Sequence, residues 1–573
     1  MDWVRRLQSV YGLKRGDLHF LSIDGDGDLV LQLGEARKKL KEIYLNKSVT
    51  LRIPQLINSQ IQKSLETFHE VATRFNFNAK FKPLYPIKVN QRKMEVSTVI
   101  KSSPIFGLES GTKSEFVICN KMFKGQEGRI IMSNGVKDRG YFELMKKSVL
   151  EGHRVFISIE GIKELQLALE VIPHEKLELF LRVKPYSILH GKWGTSSGRD
   201  SKFGMSIHEI DEALKILQEE GVKDKLIGIH AHPGSQVTNF YELREYSKFL
   251  SSIFKEINDR GFELRNINFG GGLPIDYEGW MEENIFESYY EAIFGGMSEI
   301  FKGDYPNVLT ESGRAITALS SMVLIEVLDV YTPNRQMGSE FPENLTPMKS
   351  KKILEYWQNL PQNDDYSFES IRKTELLIET QKRELRRRFF SSPMYCGLIK
   401  EAKSLITPNH LLLGNFSIFN SACDSVLVNQ YFPIIPNTGL NEQPQSYGRL
   451  IDITCDSDGE ISNFCPRDIG ESLFTKDGYP LSSEFFCKLP GFPIPDPQKI
   501  DFVVIPLIGA YQDIIQFDHN LIGDLPDILV HEESGEIKIQ ELSEAQDIST
   551  ILKKVGYTVD LKDYPYILQE NSG

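Results

Sequence analysis

Apolar and polar positions change rhythm along the chain. Residues 17–33 hold two short alternating runs around Asp24-Gly25-Asp26-Gly27-Asp28. A period of two predicts strands, and an Asp-Gly centre predicts the hairpin turn between them. These two strands lie far in sequence from any others, so they are expected to join a sheet formed later in the chain. From about residue 52 a helical stretch, Leu56 to Arg74, leads into apolar runs that are each followed by a helical pattern. The runs predict strands near 84–89, 105–110, 129–134, 154–160, 177–183, 226–232, 265–271 and 307–313. Strands alternating with helices over about 260 residues predict a (β/α)₈ TIM-type barrel, with a doubly wound open sheet as the alternative. Residues 335–410 read as two charged helical stretches interrupted by Asn359-Leu360-Pro361-Gln362-Asn363-Asp364. Short β-like runs with Pro and Gly turns follow, such as Tyr431-Phe432-Pro433-Ile434-Ile435-Pro436, and predict an all-β domain.

The expected fold class is therefore α/β, a barrel plus a C-terminal all-β domain with a helical insertion between them. The expected partition is an N-terminal segment, 1–51, contributing strands to the β domain; the barrel, 52–334; the insertion, 335–410; the β domain, 411–545; and a helical tail, 546–573. The Asp-Gly cluster has half the pattern of a calcium loop, and Glu35 falls at the twelfth position. Its sixth position is Leu29, where such a loop needs glycine, so a turn is the better reading.

Composition narrows the function classes. The chain has 573 residues, 40% hydrophobic and 25% charged, ordinary for a soluble globular protein and too long for a single core. No run of about eighteen apolar residues predicts a membrane span, and Met1-Asp2-Trp3-Val4-Arg5-Arg6 lacks the apolar stretch expected of a secretory signal. The six cysteines lack CxxC spacing, which argues against a zinc site and a disulfide framework. A cytoplasmic location is expected. A net charge of −13 argues against nucleic acid and anionic membranes as partners and is compatible with a cationic substrate. The basic run Lys382-Arg383-Glu384-Leu385-Arg386-Arg387-Arg388 reads as one solvated helix face.

The candidate chemistry lies at predicted strand ends. Leu84-Tyr85-Pro86-Ile87-Lys88-Val89-Asn90-Gln91 is an apolar stretch carrying one lysine. A desolvated lysine has a lowered pKa and serves as an amine nucleophile, whereas a lysine at a strand end can also simply snorkel to water. Gly270-Gly271-Gly272 after a strand offers a backbone nest for phosphate, though a tight turn explains three glycines equally well. Arg314 could pair with the same phosphate, and Glu311 sits three residues before it. Lys88, His232, the glycines and Glu311 all fall at C-terminal strand ends, the face on which barrels carry active sites. A phosphate site, a reactive lysine and a carboxylate on one rim suggest pyridoxal 5'-phosphate, with the carboxylate keeping the ring nitrogen protonated. No residue is assigned to a metal.

At this point the motifs resemble a known family, the biosynthetic arginine decarboxylases, pyridoxal-phosphate enzymes of the alanine-racemase-like barrel class. The resemblance rests on Tyr85 to Gln91, His230-Ala231-His232-Pro233-Gly234-Ser235-Gln236, Gly270-Gly271-Gly272, Glu311-Ser312-Gly313-Arg314, Asp452-Ile453-Thr454-Cys455-Asp456-Ser457-Asp458-Gly459 and Gly509-Ala510-Tyr511-Gln512. It runs in order from about residue 80 to residue 545. Gly191-Lys192-Trp193, Ser201-Lys202-Phe203-Gly204, Asn415-Phe416-Ser417-Ile418-Phe419 and His519-Asn520-Leu521-Ile522-Gly523-Asp524 resemble the arginine branch in particular. Pro233, where the family usually has an aliphatic residue, and Asn420 to Cys423 depart from the pattern.

The resemblance implies roles. Lys88 would hold the cofactor as a Schiff base, His232 would stack on its ring and Glu311 would pair with its nitrogen. Ser235, Gly270, Gly271, Gly272, Arg314 and Tyr511 would hold the phosphate. Cys455 would donate a proton to the barrel of the other protomer, which implies a homodimer or a tetramer with shared sites. Asp424, Asp456 and Asp458 would meet a guanidinium. The implied reaction is decarboxylation of L-arginine to agmatine in polyamine biosynthesis. The alternatives are ornithine, lysine or meso-diaminopimelate on the same barrel, or a non-catalytic cofactor-binding regulator. Diaminopimelate would need a cation at the far end of the pocket, and these motifs offer no arginine for it. Mg²⁺ enters as a candidate from the resemblance alone.

Overall fold

A computed structural model describes residues 2–126, 128–186, 201–279, 284–332, 410–467, 470–482 and 488–560, with the short stretches 367–372 and 407–408 and the single residues 198, 281, 562 and 564. The expected insertion, apart from those short stretches and His410, lies outside the described residues, as do Gly191-Lys192-Trp193, Cys396, Cys487 and most of the tail after 560.

The helix Trp3–Tyr11 opens the fold, its N-terminus capped by the Asp2 side chain. β1 (Leu21–Ile23) and β2 (Leu29–Leu33) form the antiparallel hairpin. At its turn Asp24 Oδ1 accepts the N–H groups of Asp26 and Asp28, each at 3.0 Å. Lys39 Nζ lies 2.8 Å from carboxylate oxygens of Asp24, Asp26 and Asp28, so an ammonium occupies the centre of the acidic cluster. Lys39 ends β3 (Ala36–Lys39), which adds to β2. These strands form a three-stranded sheet of their own and do not join the later one. The physical reason is the edge: Arg37, Lys38 and Lys39 line β3, and a charged edge does not recruit further strands. The strand that does join is β4 (Val49–Arg52).

The helix Pro54–Arg74 starts with proline, which suits the first helical turn. Then eight parallel strands close a barrel: β5 (Phe81–Pro86), β6 (Gly107–Ser110), β7 (Ile130–Ser133), β8 (Arg154–Ile159), β9 (Leu179–Arg182), β10 (Leu226–His230), β11 (Asn266–Asn268) and β12 (Asn307–Thr310). Closure comes from β12 pairing with β5. Leu84, Ile130, Met132, Phe156, Phe180 and Leu309 form a small buried cluster apart from the main core. They come from alternate positions on strands around the ring, the pattern of a filled barrel interior. All eight strands fall where the apolar runs predict them, but most end earlier. Lys88, expected on a strand, sits in the 3₁₀ turn Ile87–Val89 just past β5. Pro86 ends that strand because it has no N–H for the ladder.

β13 (Ser321–Tyr331) leaves the barrel and becomes the spine of a ten-stranded sheet. It pairs with β4, with β14 (His410–Gly414) and with Phe502–Ile505, all antiparallel. On its outer side β4 pairs with Asp527–Glu533. Arg52 of β4 clamps the junction. Its buried guanidinium donates to both oxygens of Asp513 and to Asp527 Oδ1, each at 2.7 Å. Asn90, two residues after Lys88, donates to the same Asp513 at 2.8 Å and to Gly509 O at 3.0 Å. The lysine turn is thus tied to the sheet by charge-assisted bonds. The segment Ile548–Lys554 is helical, in the expected tail. No helix among the described residues is long and apolar enough to cross a membrane.

Candidate active site

Glycine is required at the end of β11. Gly270 and Gly272 have φ of 70° and 98°, a region that side chains disfavour. A Cβ on Gly271 would stand 2.5 Å from Glu311 O, and one on Gly270 would stand 2.7 Å from Ala231 O. The loop therefore packs its bare backbone against the ends of β10 and β12, directly behind His232 and Glu311. Gly270 N–H donates to Asn268 Oδ1 at 2.9 Å, so it is spent inside the protein and does not serve the expected nest.

An anion receptor forms beside this loop. Arg314 begins the short helix Arg314–Thr317 and is buried. Its Nε donates to Ser235 Oγ and its Nη1 to Tyr277 Oη, each at 3.3 Å. The guanidinium lies 4.6 Å from the centroid of the Tyr511 ring. One guanidinium, three hydroxyls and the Gly234-Ser235 turn suit a phosphate. Tyr277 escaped the sequence reading, because a tyrosine nine positions past β11 has no motif to mark it.

Lys88 opens into the same cavity, which has a volume of about 550 Å³. Its Nζ lies 3.2 Å from Glu109 Oε2. Glu109 was not anticipated; it is fully buried at the end of β6, and its Oε1 has no hydrogen-bond partner. Burial works against the Lys88 ammonium, but the Glu109 and Glu311 carboxylates outweigh it and hold the lysine above its ordinary value. This reverses the expectation of a lowered lysine. Glu311 accepts from Asn134 Nδ2 on both oxygens at 3.0 Å and from Asn268 Nδ2 at 2.7 Å. Burial, then repulsion from Glu109, pushes its carboxyl up to about 7, against the pull of Lys88 and the two amides. His232 accepts the Gly234 N–H at Nδ1 at 3.0 Å. Burial, then the positive charges of Lys88 and Arg182, hold it well below the usual histidine value. It is a neutral, fixed imidazole facing the cavity, suited to stack on an aromatic ring.

Asp424 also lines the cavity. Gln512 fixes it: Nε2 donates to Asp424 Oδ2 and Oε1 accepts Asp424 N–H, both at 3.0 Å. Asp424 Oδ2 also lies 3.9 Å from Arg314 Nη1. A further cation missed in the sequence, Arg182, lines the cavity. It is paired with Glu160 and lies 4.8 Å from the Phe203 ring. Cys455, Asp456 and Asp458 are elsewhere, on an exposed loop after the strand Ser446–Ile451, outside the cavity lining of their own chain. That loop is pinned by Asn520, whose Oδ1 accepts Cys455 N–H at 3.0 Å.

The residues fit pyridoxal phosphate on their own chemistry. An amine, a neutral imidazole and an arginine-hydroxyl receptor line one cavity, and a buried carboxylate with a raised pKa, Glu311, stands close enough to act on the amine, where a ring cation would satisfy it. When bound, that cofactor supplies an electron sink.

Comparison with known proteins agrees. Residues 58–318 match the family described as pyridoxal-dependent decarboxylase, pyridoxal binding domain. Fold and site together define a pyridoxal-phosphate-dependent decarboxylase of the barrel type. The biosynthetic arginine decarboxylase of Phocaeicola vulgatus is 30% identical over 88% of this chain and 83% of its own length. That of Bacteroides thetaiotaomicron is 28% identical over 96% of this chain and 91% of its own. The chain belongs to the biosynthetic arginine decarboxylase family. The crystal structure of the Campylobacter jejuni biosynthetic arginine decarboxylase superposes with a TM-score of 0.74 at 24% identity, covering 100% of this chain and 93% of that one. The diaminopimelate decarboxylase of M. jannaschii, in complex with L-lysine, shares the fold with a TM-score of 0.63 at 15% identity, covering 94% of this chain and 98% of that one.

Proposed function

We propose that the protein decarboxylates L-arginine to agmatine and carbon dioxide, feeding polyamine synthesis, with pyridoxal phosphate attached at Lys88. One observation carries this reading: a buried carboxylate, Asp424, lines the same cavity as Lys88 and Glu109, within a chain whose near full-length relatives are named biosynthetic arginine decarboxylases. Arg314, Ser235, Tyr277 and Tyr511 hold the phosphate. His232 covers one face of the ring, and Glu311 holds the proton on its nitrogen. Glu109 takes up the proton that Lys88 releases on attachment. Asp424 meets the substrate cation. The bond from Cα to the carboxylate breaks, and the electron pair left at Cα takes a proton.

That proton comes from Cys455 of the partner subunit in a homodimer, or in a tetramer of two dimers. In support, Cys455 is exposed and lies outside its own chain's cavity, together with Asp456 and Asp458. Cys423, beside Asp424, is a poor donor: burial, then the Asp424 charge, pushes its thiol up to about 12. Arg182 is the nearest thing to the cation that diaminopimelate would need, but Glu160 already neutralises it.

Turnover on arginine, ornithine, lysine and meso-diaminopimelate tests the substrate. Arginine is expected to have the highest kcat/KM, and a higher value for any other overturns the assignment. Borohydride reduction followed by peptide mapping is expected to find the cofactor on Lys88. Attachment to another lysine refutes that role.

A further inference from the structure

His230 ends β10, two residues before His232, and is completely buried. Its Nδ1 lies 2.9 Å from Ser158 Oγ on β8. Its Nε2 has no hydrogen-bond partner and points at Glu311, 3.6 Å from Oε1. A buried polar atom left without a partner is costly, so its direction carries information. Glu311 already accepts from two amides. His230 approaches the same Oε1 and is not among the residues that line the cavity.

We propose that His230 is a positioning residue for Glu311: the Ser158 hydroxyl donates to Nδ1, which leaves the imidazole proton on Nε2 as a third donor to the Glu311 carboxylate. This rests on the assignment of Glu311 to the cofactor ring nitrogen made above. A separation of 3.6 Å exceeds a formed hydrogen bond, and such contacts tighten when a site is loaded. The groups facing this pair are Lys88 and Glu109 from the β5 and β6 ends, Lys137 after β7, Arg182 on β9 and His232 after β10. Burial, then the positive charge of Arg182, keeps His230 neutral, so it serves as an N–H dipole and not as a second cation competing with the ring. Its effect is to keep Glu311 ionised where burial and Glu109 favour the protonated acid. An ionised Glu311 then holds the ring proton.

Protein reconstituted with pyridoxal phosphate labelled with ¹⁵N in the ring tests this, because the ring-nitrogen shift reports its protonation without substrate. His230→Leu is expected to make the ring lose its proton about one pH unit or more lower than in wild type, the effect of losing one hydrogen bond to a charged group. His230→Gln, which restores an N–H donor, should recover most of that shift. Ser158→Ala, a smaller change, should move it in the same direction as His230→Leu. Turnover by His230→Leu should fall about tenfold in kcat with KM within about twofold. Identical ring titrations in wild type, His230→Leu and Ser158→Ala would overturn the proposal, as would failure of His230→Gln to differ from His230→Leu. The spectral result decides the matter whether or not arginine is the amino acid consumed.

Discussion

Lys88 and Glu311 share a small volume with Glu109, and their protonation states are set jointly. Glu109 and Glu311 keep the Lys88 amine charged in the cofactor-free protein, so attachment to an aldehyde requires the proton to leave toward a carboxylate. Glu311 carries the opposite burden. Its carboxyl sits higher in the folded chain than the ordinary glutamate value, at about 7. The folded state therefore binds the extra proton. The stability this contributes is present below the unfolded value and is lost as pH rises through about 7. We predict that the melting temperature of cofactor-free protein falls between about pH 5 and pH 8, and that Glu311→Gln removes part of that fall. Equal slopes in wild type and variant, followed by calorimetry, would refute the linkage. Lys88 does not contribute in this window, because a raised lysine loses its stabilisation only above the ordinary lysine range.

At the level of elements, the site depends on how each strand ends. The turn Ile87–Val89 turns Lys88 off β5 toward Glu109, and the Tyr511 N–H bonds Val89 O at 2.8 Å behind it. The glycine loop sets the spacing between His232 and Glu311. Gly271→Ala would place a methyl 2.5 Å from Glu311 O and 3.3 Å from His232 Nε2. Backbone cannot retreat there without moving β12, so overpacking is expected to cost about 1–3 kcal/mol and to weaken cofactor affinity. Thermal melts and cofactor titration of Gly271→Ala check both; unchanged values would mean that the loop tolerates the methyl. Strands and helices could be read from periodicity because it reflects which face is buried. The 3₁₀ turn could not, since no period marks three residues.

For the whole molecule, the question is which residues complete a site. If Cys455 of the partner subunit serves the cavity, neither Lys88→Ala nor Cys455→Ala alone is active. Mixed and allowed to exchange, they form heterodimers with one intact site, so about a quarter of wild-type activity is expected at equal mixing, on statistical pairing of a two-fold assembly. No recovery, with exchange verified by mass spectrometry, would place both residues in one chain's site.

The sequence alone determined the barrel and its eight strand positions, and it named Lys88, His232, Glu311 and Arg314 as candidates at the strand ends. Alternation, turn residues and motif order are local properties, and Lys88, His232, Glu311 and Arg314 sit in local motifs. It could not show Glu109 and Arg182 in the cavity or Tyr277 against Arg314, because each lies on a separate strand or loop with no distinguishing neighbours. Nor could it divide Asp424 from Asp456 and Asp458, which look alike as acidic residues in short β-rich segments. Only the tertiary structure decided that Asp424 lines the cavity with Lys88 while Asp456 and Asp458 stand exposed with Cys455. It likewise decided the charge of Lys88. A pKa depends on which carboxylates approach within a few ångströms and on how much water is excluded, and both are set by the closure of the barrel.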